Sequence, residues 1–233
     1  MTKRKNVDDV TSNIPGSEGQ SRKYGMSTLA VHAGARPDPV TGARGTPIYQ
    51  TTSFVFDDAE HGAELFNLQT FGYVYSRMTN PTVSVFEERV AQLEGGRGAV
   101  ATSSGHAAQF IAAATLMEAG DEFIASRNLY GGSVTQFGVS FPKLGWKCNF
   151  VDPTDPENFE KAMNDKVKFI FCEGVANPGG IILDLEKIAD IAHKHGVLLI
   201  VDNTLASPYL LRPFEWGADL VVHSTTKFIG GHG

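Results

Sequence analysis

The sequence predicts an α/β fold with a mainly parallel β-sheet that carries helices on both faces. From residue 98 onward, short strand-like segments alternate with helical segments, which is the pattern of βαβ units. The strand-like segments are apolar throughout, as expected of strands buried on both faces. The chain has 233 residues, of which 42% are hydrophobic, so it also has enough apolar material for a sizeable core.

The segments follow one another in a regular order along the chain. The strand-like segments are GAVATSS (98–104), EFIAS (122–126), WKCNFVD (146–152), VKFIFCEG (167–174), VLLIVDN (197–203) and ADLVVHST (218–225). The helical segments are NPTVSVFEERVAQLEGG (80–96), HAAQFIAAATLMEAG (106–120), GGSVTQFGVSFPKLG (131–145), DPENFEKAMN (155–164) and DLEKIADIAHKHG (184–196). In the first helix Asn80 can cap, Pro81 suits the first helical position and Gly95 can end it. The last helix is amphipathic, with an apolar face made of Leu185, Ile188, Ala189 and Ala192.

Changes in composition along the chain predict three parts. Residues 1–26 are rich in Ser, Asn, Gly and charged residues and predict a disordered tail. Residues 27–80 include ARPDPVTGARGTPIYQTT, whose prolines and glycines indicate an extended arm rather than a packed layer. Residues 81–233 hold the alternating segments and predict the main domain.

Charge and hydropathy disfavour several classes of partner. The net charge of −6 disfavours nucleic acid and anionic membranes. No apolar stretch approaches the roughly 20 residues that a membrane-spanning helix needs, and the N-terminal sequence does not resemble a secretory signal. Cys148 and Cys172 lie in apolar segments without metal-ligand spacing, so buried reduced thiols and no metal site are expected. A cytoplasmic protein with a small-molecule ligand is therefore predicted.

A hydroxyl-rich turn follows the first strand-like segment. In TSSGHAAQ this turn leads into a helix whose first N–H groups belong to Gly105 and His106. Free N–H groups and the positive end of the helix dipole favour an anion such as phosphate. A turn of this kind also serves simply to cap a helix, and the sequence leaves both interpretations open.

An acid and an amine follow two later strand-like segments. Asp202 leaves five apolar residues, so it is expected either to have a cationic partner, because an unpaired buried carboxylate is costly, or to serve as a turn residue. The next strand-like segment ends in VVHSTTK, which brings Ser224, Thr226 and Lys227 to the same edge. Ligands of parallel sheets bind at this edge, outside the carboxyl ends of the strands.

These groups together match the needs of pyridoxal 5'-phosphate. A lysine amine can bind the aldehyde covalently, and a carboxylate keeps the pyridine nitrogen protonated so that the ring accepts electrons. N–H and hydroxyl donors hold the phosphate. The sequence therefore predicts pyridoxal phosphate as the cofactor.

The chain resembles the Cys/Met-metabolism enzymes that depend on pyridoxal phosphate, within the fold-type-I, aminotransferase-like group. The matching motifs are YSRMTNPT, SSGHAA, LYGGS, ANPGG, VDNT and HSTTKFIGGHG. The segment LFNLQTFGYVYSR is most similar to the O-acetylhomoserine sulfhydrylase branch of the family. The resemblance implies γ-replacement on O-acetyl-L-homoserine by sulfide or methanethiol, giving homocysteine or methionine plus acetate. A cystathionine γ-synthase, a methionine or cystathionine γ-lyase, and a fragment without activity remain alternatives.

The resemblance also implies roles for individual residues. Lys227 is expected to bind the cofactor covalently and to move protons, and Asp202 to pair with the ring nitrogen. Tyr130 is expected to stack on the ring and to assist proton transfer, and Asn177 to contact the ring hydroxyl. The expected phosphate ligands are Gly105, His106, Ser224 and Thr226, with His106 acting through its backbone.

The resemblance further implies an assembly and a missing part. Tyr75 and Arg77 are expected to reach the phosphate of a neighbouring subunit, so that residues 27–80 cross between the subunits of a homodimer or homotetramer with shared active sites. Members of the family continue beyond the position of Gly233 with another strand and a smaller domain that carries the arginine for the substrate carboxylate. The large domain is therefore expected to be incomplete at its C-terminal end, and the small domain to be absent.

Overall fold

The computed structural model describes residues 24–231, which form two compact units. The first unit ends at Ala101 and the second begins at Thr102. The predicted tail lies outside the described residues as far as residue 23, and the first helix begins at Met26. The main domain was predicted to begin at residue 81, with the helix in residues 80–96. The boundary between the units lies after this helix. The role of residues 27–80 as an arm between subunits stays a prediction.

The first unit contains helices joined by long irregular segments. Its helices are α1 (Met26–His32), α2 (Ala59–Phe66) and α3 (Pro81–Glu94). The side chain of Asn80 accepts the Thr82 N–H at the start of α3, and Gly95 ends this helix with a φ of 76°. A positive φ favours glycine, which has no Cβ to clash. The predicted start and end of this helix are therefore confirmed.

The strand predicted for residues 98–104 is wrong. These residues form no strand, and the sheet of the described chain does not include them. Val100 is 81% exposed, and the N–H of Ala101 donates to a Glu87 carboxylate oxygen (2.7 Å). A strand forms only where another strand takes up its backbone hydrogen bonds, and among residues 24–231 none pairs with this segment.

The second unit is built on a parallel sheet, as predicted. Within residues 24–231 the strands are β1 (Glu122–Ser126), β2 (Lys147–Val151), β3 (Val167–Glu173), β4 (Leu198–Asp202) and β5 (Leu220–Val222). Their order across the sheet is β2-β1-β3-β4-β5, and every pair is parallel. Glu173 and Asp202, the last residues of β3 and β4, lie opposite each other. This register places two acids side by side at the carboxyl edge.

In the second unit one helix precedes β1 and the others lie between the strands. They are α4 (Gly105–Leu116), α5 (Gly131–Thr135), α6 (Glu157–Lys161), α7 (Leu185–Lys194) and α8 (Ser207–Leu210). The helix predicted for residues 131–145 is interrupted, because α5 continues as a π-helical turn and then as a 3-10 turn. Asp184 caps α7 by accepting the Lys187 N–H, and the predicted apolar face of α7 is buried.

Apolar side chains pack on both faces of the sheet. Phe123 and Phe171 point to one face with Phe137, while the neighbouring Ile124 and Cys172 point to the other. Each buried phenylalanine contributes about 1.5–3 kcal/mol relative to an exposed one. Both cysteines are free thiols, and burial raises the pKa of each. No helix among residues 24–231 is long and apolar enough to span a bilayer.

Candidate active site

A cavity of about 680 Å³ lies at the carboxyl edge of the sheet. Its lining comes from segments that are far apart in the sequence. The predicted site residues that line it are Gly105, His106, Tyr130, Asn177, Asp202, Ser224, Thr226 and Lys227. The lining residues that the sequence did not single out include Ser104, Gln109, Glu173 and Thr204. The fold thus gathers eight predicted positions of the second unit around one space.

The start of α4 forms one wall of this cavity. The Ser104 side chain caps the helix by accepting the Ala107 N–H (3.1 Å), while helix geometry leaves the N–H groups of Gly105 and His106 without intrahelical partners. A Cβ at position 105 would lie 2.9 Å from the Ser224 Cβ, so only glycine allows this approach. The start of α4 and the segment after β5 are therefore in contact, and the free N–H donors of the helix lie near Ser224.

The sequence left two roles open for Asp202, and its neutral hydrogen-bond donors fit a turn residue rather than one with a cationic partner in the described chain. Its Oδ1 accepts the Thr204 N–H (2.9 Å), and its Oδ2 accepts a Gln109 Nε2–H (3.0 Å). Among residues 24–231 it forms no ion pair. Gln109 was not predicted from the sequence. Its signal was a single polar residue in the apolar run AAQFIAAA, on the same face of α4 as the buried Ala113.

Glu173 is a buried acid beside the half-buried Asp202, and it too was not predicted from the sequence. Its Oε1 accepts the Tyr130 N–H (2.6 Å) and its Oε2 accepts the Asn177 N–H (2.8 Å). The pKa of Glu173 is raised to about 7, mainly by burial and also by the nearby Asp202 charge, although the two backbone hydrogen bonds oppose the shift. One carboxylate therefore ties together the two loops that carry Tyr130 and Asn177.

His106 contributes its side chain to the cavity as well as its backbone. Its ring stacks on the Tyr130 ring, with centroids 5.8 Å apart and planes 25° apart. The His106 Nε2 atom is buried and has no hydrogen-bond partner within the described chain. A Cβ at Gly132 would lie 2.5 Å from the His106 ring and 2.6 Å from the Tyr130 ring, so the stack depends on glycine there.

Lys227 lies in the turn that follows β5. Its N–H donates to the Ser224 carbonyl (3.3 Å), and its own carbonyl accepts the Gly231 N–H (3.0 Å). The side chain is exposed and lines the cavity together with Thr226. The amine is therefore accessible to a molecule that enters the cavity.

Tyr75 and Arg77 belong to the first unit, whereas the cavity lining comes from the second. The Arg77 guanidinium lies over the Tyr75 ring, 5.4 Å from its centroid. Tyr75 also forms an antiparallel bridge with Ser53. Their predicted role at a neighbouring subunit stays a prediction.

Comparison with known proteins gives one consistent result. The family model described as Cys/Met metabolism PLP-dependent enzyme matches residues 27–233. An O-acetyl-L-homoserine sulfhydrylase of Leptospira meyeri is 50% identical over 219 residues, which are 94% of this chain and 50% of that protein. A homocysteine synthase of Schizosaccharomyces pombe is 49% identical over 209 residues, covering 89% of this chain and 49% of that protein.

The fold comparison agrees. A Campylobacter jejuni protein assigned as an O-acetylhomoserine (thiol)-lyase superposes with a TM-score of 0.87 and 38% identity, over 90% of this chain and 52% of that one. Its crystal structure contains N'-pyridoxyl-lysine-5'-monophosphate. The chain spans about half the length of the curated relatives that it matches. The chain belongs to the Cys/Met-metabolism family of PLP-dependent enzymes.

Proposed function

We propose that this chain provides the cofactor-binding part of an enzyme that performs γ-replacement on O-acetyl-L-homoserine. Sulfide or methanethiol is the incoming nucleophile, and the products are homocysteine or methionine plus acetate. The observation that carries the proposal is the cavity that Lys227, Asp202 and the start of α4 line together. The names of the relatives support the choice of substrate.

The residues of the cavity fit the family's cofactor, pyridoxal phosphate. The volume of about 680 Å³ lies in the range of small-molecule sites. Asp202 has no cationic partner within the described chain, so its charge is available to a protonated ring nitrogen. Gly105 leaves room beside Ser224 where a Cβ would clash, and the donors there suit a phosphate. When bound, the cofactor withdraws electrons from the substrate's α-carbon.

Each residue then has a distinct task. The Lys227 amine would hold the cofactor covalently and, once the substrate's amine has replaced it there, would take the proton from the α-carbon of the substrate. The Tyr130 ring supports the face of the cofactor and assists proton transfer, and Asn177 donates to the ring hydroxyl. The phosphate ligands in this proposal are Gly105, His106, Ser224 and Thr226.

The proposal includes an assembly in which residues 27–80 reach a neighbouring subunit. Large apolar side chains of the first unit are exposed, Val55 by 95% and Leu68 by 89%, and such surfaces favour association. In a homodimer or homotetramer, Tyr75 and Arg77 would act on the partner's phosphate. Mixing inactive Arg77→Ala and Lys227→Ala variants should then restore part of the activity, because hybrid dimers contain one intact site.

The proposal also places the protein in the cytoplasm, because its free thiols suit a reducing compartment.

Chemical trapping tests the proposal directly. The protein is loaded with pyridoxal phosphate, reduced with borohydride and digested, and we expect the pyridoxyl label on Lys227 by mass spectrometry. Lys227→Ala should lose the label, whereas Lys187→Ala, which removes an exposed lysine of α7, should keep it. A label elsewhere, or none, would overturn the proposal.

Product analysis separates the proposed reaction from its alternatives. O-acetylhomoserine is supplied with sulfide in one assay and with cysteine in another. Homocysteine from sulfide supports the proposed γ-replacement, whereas cystathionine formed only from cysteine indicates a cystathionine γ-synthase. Turnover of cystathionine or methionine without an acyl substrate indicates a γ-lyase.

A further inference from the structure

Behind the Asp202 carboxylate lies a buried pair of polar side chains. Gln109 on α4 is 5% exposed and Ser133 on α5 is 1% exposed. The Gln109 Nε2 group donates to Asp202 Oδ2 and to Ser133 Oγ, each at 3.0 Å. The Ser133 hydroxyl donates in return to Gln109 Oε1 (3.2 Å). Gln109 thus contacts the carboxylate, and Ser133 contacts only Gln109 among these three side chains.

The partners of this amide determine which way it points. A carboxylate oxygen accepts and does not donate, so the NH₂ end of Gln109 must face Asp202. A flipped amide would bring Oε1 against the carboxylate and would leave Asp202 Oδ2 without this donor. The Ser133 hydroxyl lies within hydrogen-bond distance of both ends of the amide, so it holds the side chain in place while the carboxylate sets its orientation. Both groups are buried, so a lost bond costs more here than at the surface.

The two oxygens of Asp202 are therefore held from different sides. The backbone N–H of Thr204 holds Oδ1 from the segment after β4, and Gln109 holds Oδ2 from α4. Without Gln109, Oδ2 would have no donor among these groups, and the carboxylate could rotate about its Cβ–Cγ bond.

We propose that Gln109, held in place by Ser133, is the positioning residue that aims the Asp202 carboxylate at the cofactor's ring nitrogen. This inference rests on the proposed function, since it assigns Asp202 to that nitrogen. Gln109 does not touch the reacting atoms in this role and acts through Asp202 alone.

A cofactor titration tests the inference. Apo-protein is titrated with pyridoxal phosphate, and the dissociation constant is read from the absorption of the bound cofactor. Gln109→Met keeps the approximate size of the side chain but removes the donor. We expect it to weaken binding about 10- to 100-fold, as for the loss of a hydrogen bond to a charged group. Ser133→Ala should weaken binding less, because the amide remains. Thr115→Val, on an exposed position of the same helix, should bind as the wild type does.

A double-mutant cycle distinguishes positioning from a merely structural role. If Gln109 acts through Asp202, Gln109→Met should change cofactor binding little in an Asp202→Ala background. Equal effects in both backgrounds would overturn the inference. In turnover, Gln109→Met should lower kcat more than it raises KM for the amino-acid substrate.

Control measurements distinguish a variant that fails to fold from one that loses the positioning role. The thermal unfolding midpoint of each apo-variant shows whether it is folded, and if Gln109→Met does not fold, Gln109→Glu and Ser133→Ala carry the test. Gln109→Glu places a second carboxylate beside Asp202 and should weaken binding at least as much as Gln109→Met. Wild-type protein that fails to bind the cofactor would contradict the proposed function. Wild-type binding with unaffected Gln109 variants would contradict only the positioning role.

Discussion

The two edges of the same parallel sheet treat their acidic residues in opposite ways. At the amino edge, Glu122 begins β1, pairs with Lys147 (3.2 Å) and accepts hydrogen bonds from Asn149 and Asn164. At the carboxyl edge, Glu173 ends β3, and within residues 24–231 it accepts hydrogen bonds only from backbone N–H groups. The hydrogen bond from Asn149 is the main reason that the pKa of Glu122 is lowered, whereas burial raises the pKa of Glu173 to about 7.

This contrast indicates that the acids of the amino edge serve the structure, whereas those of the carboxyl edge can serve a ligand. Asp121 at the amino edge is also paired with a cation, Lys168 (3.5 Å), whereas Asp202 at the carboxyl edge is not paired within residues 24–231. Negative charge at the amino edge is neutralised by the protein itself. At the carboxyl edge it is held by neutral donors, and it remains available to a cationic ligand.

The largest difference in turnover should be seen between two variants that each lack one aspartate, one from the carboxyl edge and one from the amino edge. Asp202→Ala should abolish turnover, because it removes the carboxylate that is assigned to keep the ring nitrogen protonated. Asp121→Ala should leave turnover near the wild-type level and affect only stability. Both kcat values are measured with cofactor in excess; similar losses in both variants would contradict the division of roles between the edges.

Removing one glutamate at each edge should affect the hydrogen exchange of the loops at the cavity only when the carboxyl edge is changed. Glu173→Ala leaves the N–H groups of Tyr130 and Asn177 without their acceptor. Their hydrogen–deuterium exchange should become roughly 10- to 100-fold faster, as expected for the loss of a hydrogen bond to a charged group. Glu122→Ala should leave exchange at both amides unchanged. Unchanged exchange in Glu173→Ala would show that other contacts hold the two loops.

The pH dependence of stability should have opposite signs for these two glutamates. The folded pKa of Glu173, about 7, lies above the ordinary glutamate value of 4.5, so between these values the folded state binds more protons than the unfolded state. Its contribution to the free energy of unfolding should therefore fall as pH rises from 4.5 to 7, by roughly 3 kcal/mol at most. The folded pKa of Glu122 is lowered, so its contribution is present above pH 4.5 and is lost as pH falls below it.

Denaturant unfolding from pH 4 to 8 measures both signs. Subtracting the curve of Glu173→Gln from that of the wild type should isolate the decline between pH 4.5 and 7. The same subtraction with Glu122→Gln should show a difference that fades toward acid. A Glu173 difference that rises with pH would contradict the assigned shift.

The smallest effect should come from an exposed cation of the amino edge. Lys147 is 65% exposed in its ion pair with Glu122, and such pairs contribute at most about 1 kcal/mol. Lys147→Ala should therefore lower the free energy of unfolding by that amount or less, and the loss should shrink in high salt. A larger loss that does not shrink in high salt would contradict the minor structural role assigned to this ion pair.

The local features of the fold could be predicted because their causes are local. The caps of α3 and α7 follow from Asn80, Gly95 and Asp184, which act on neighbouring backbone groups. The strand after Gly98 was predicted wrongly, because its partner would have to come from elsewhere in the chain. Gln109 and Glu173 were missed for a similar reason, since each acts on a group more than 40 residues away.

The sequence by itself determined the parallel α/β architecture and the types of residue at the strand ends, because apolar runs, caps and turn residues act over short distances. Only the tertiary structure decided what surrounds those residues. The β3–β4 register places Glu173 opposite Asp202, and the packing of α4 and α5 brings Gln109 and Ser133 behind that aspartate. Hydrogen bonds of this kind join distant segments, and they form only when the sheet and its helices have assembled.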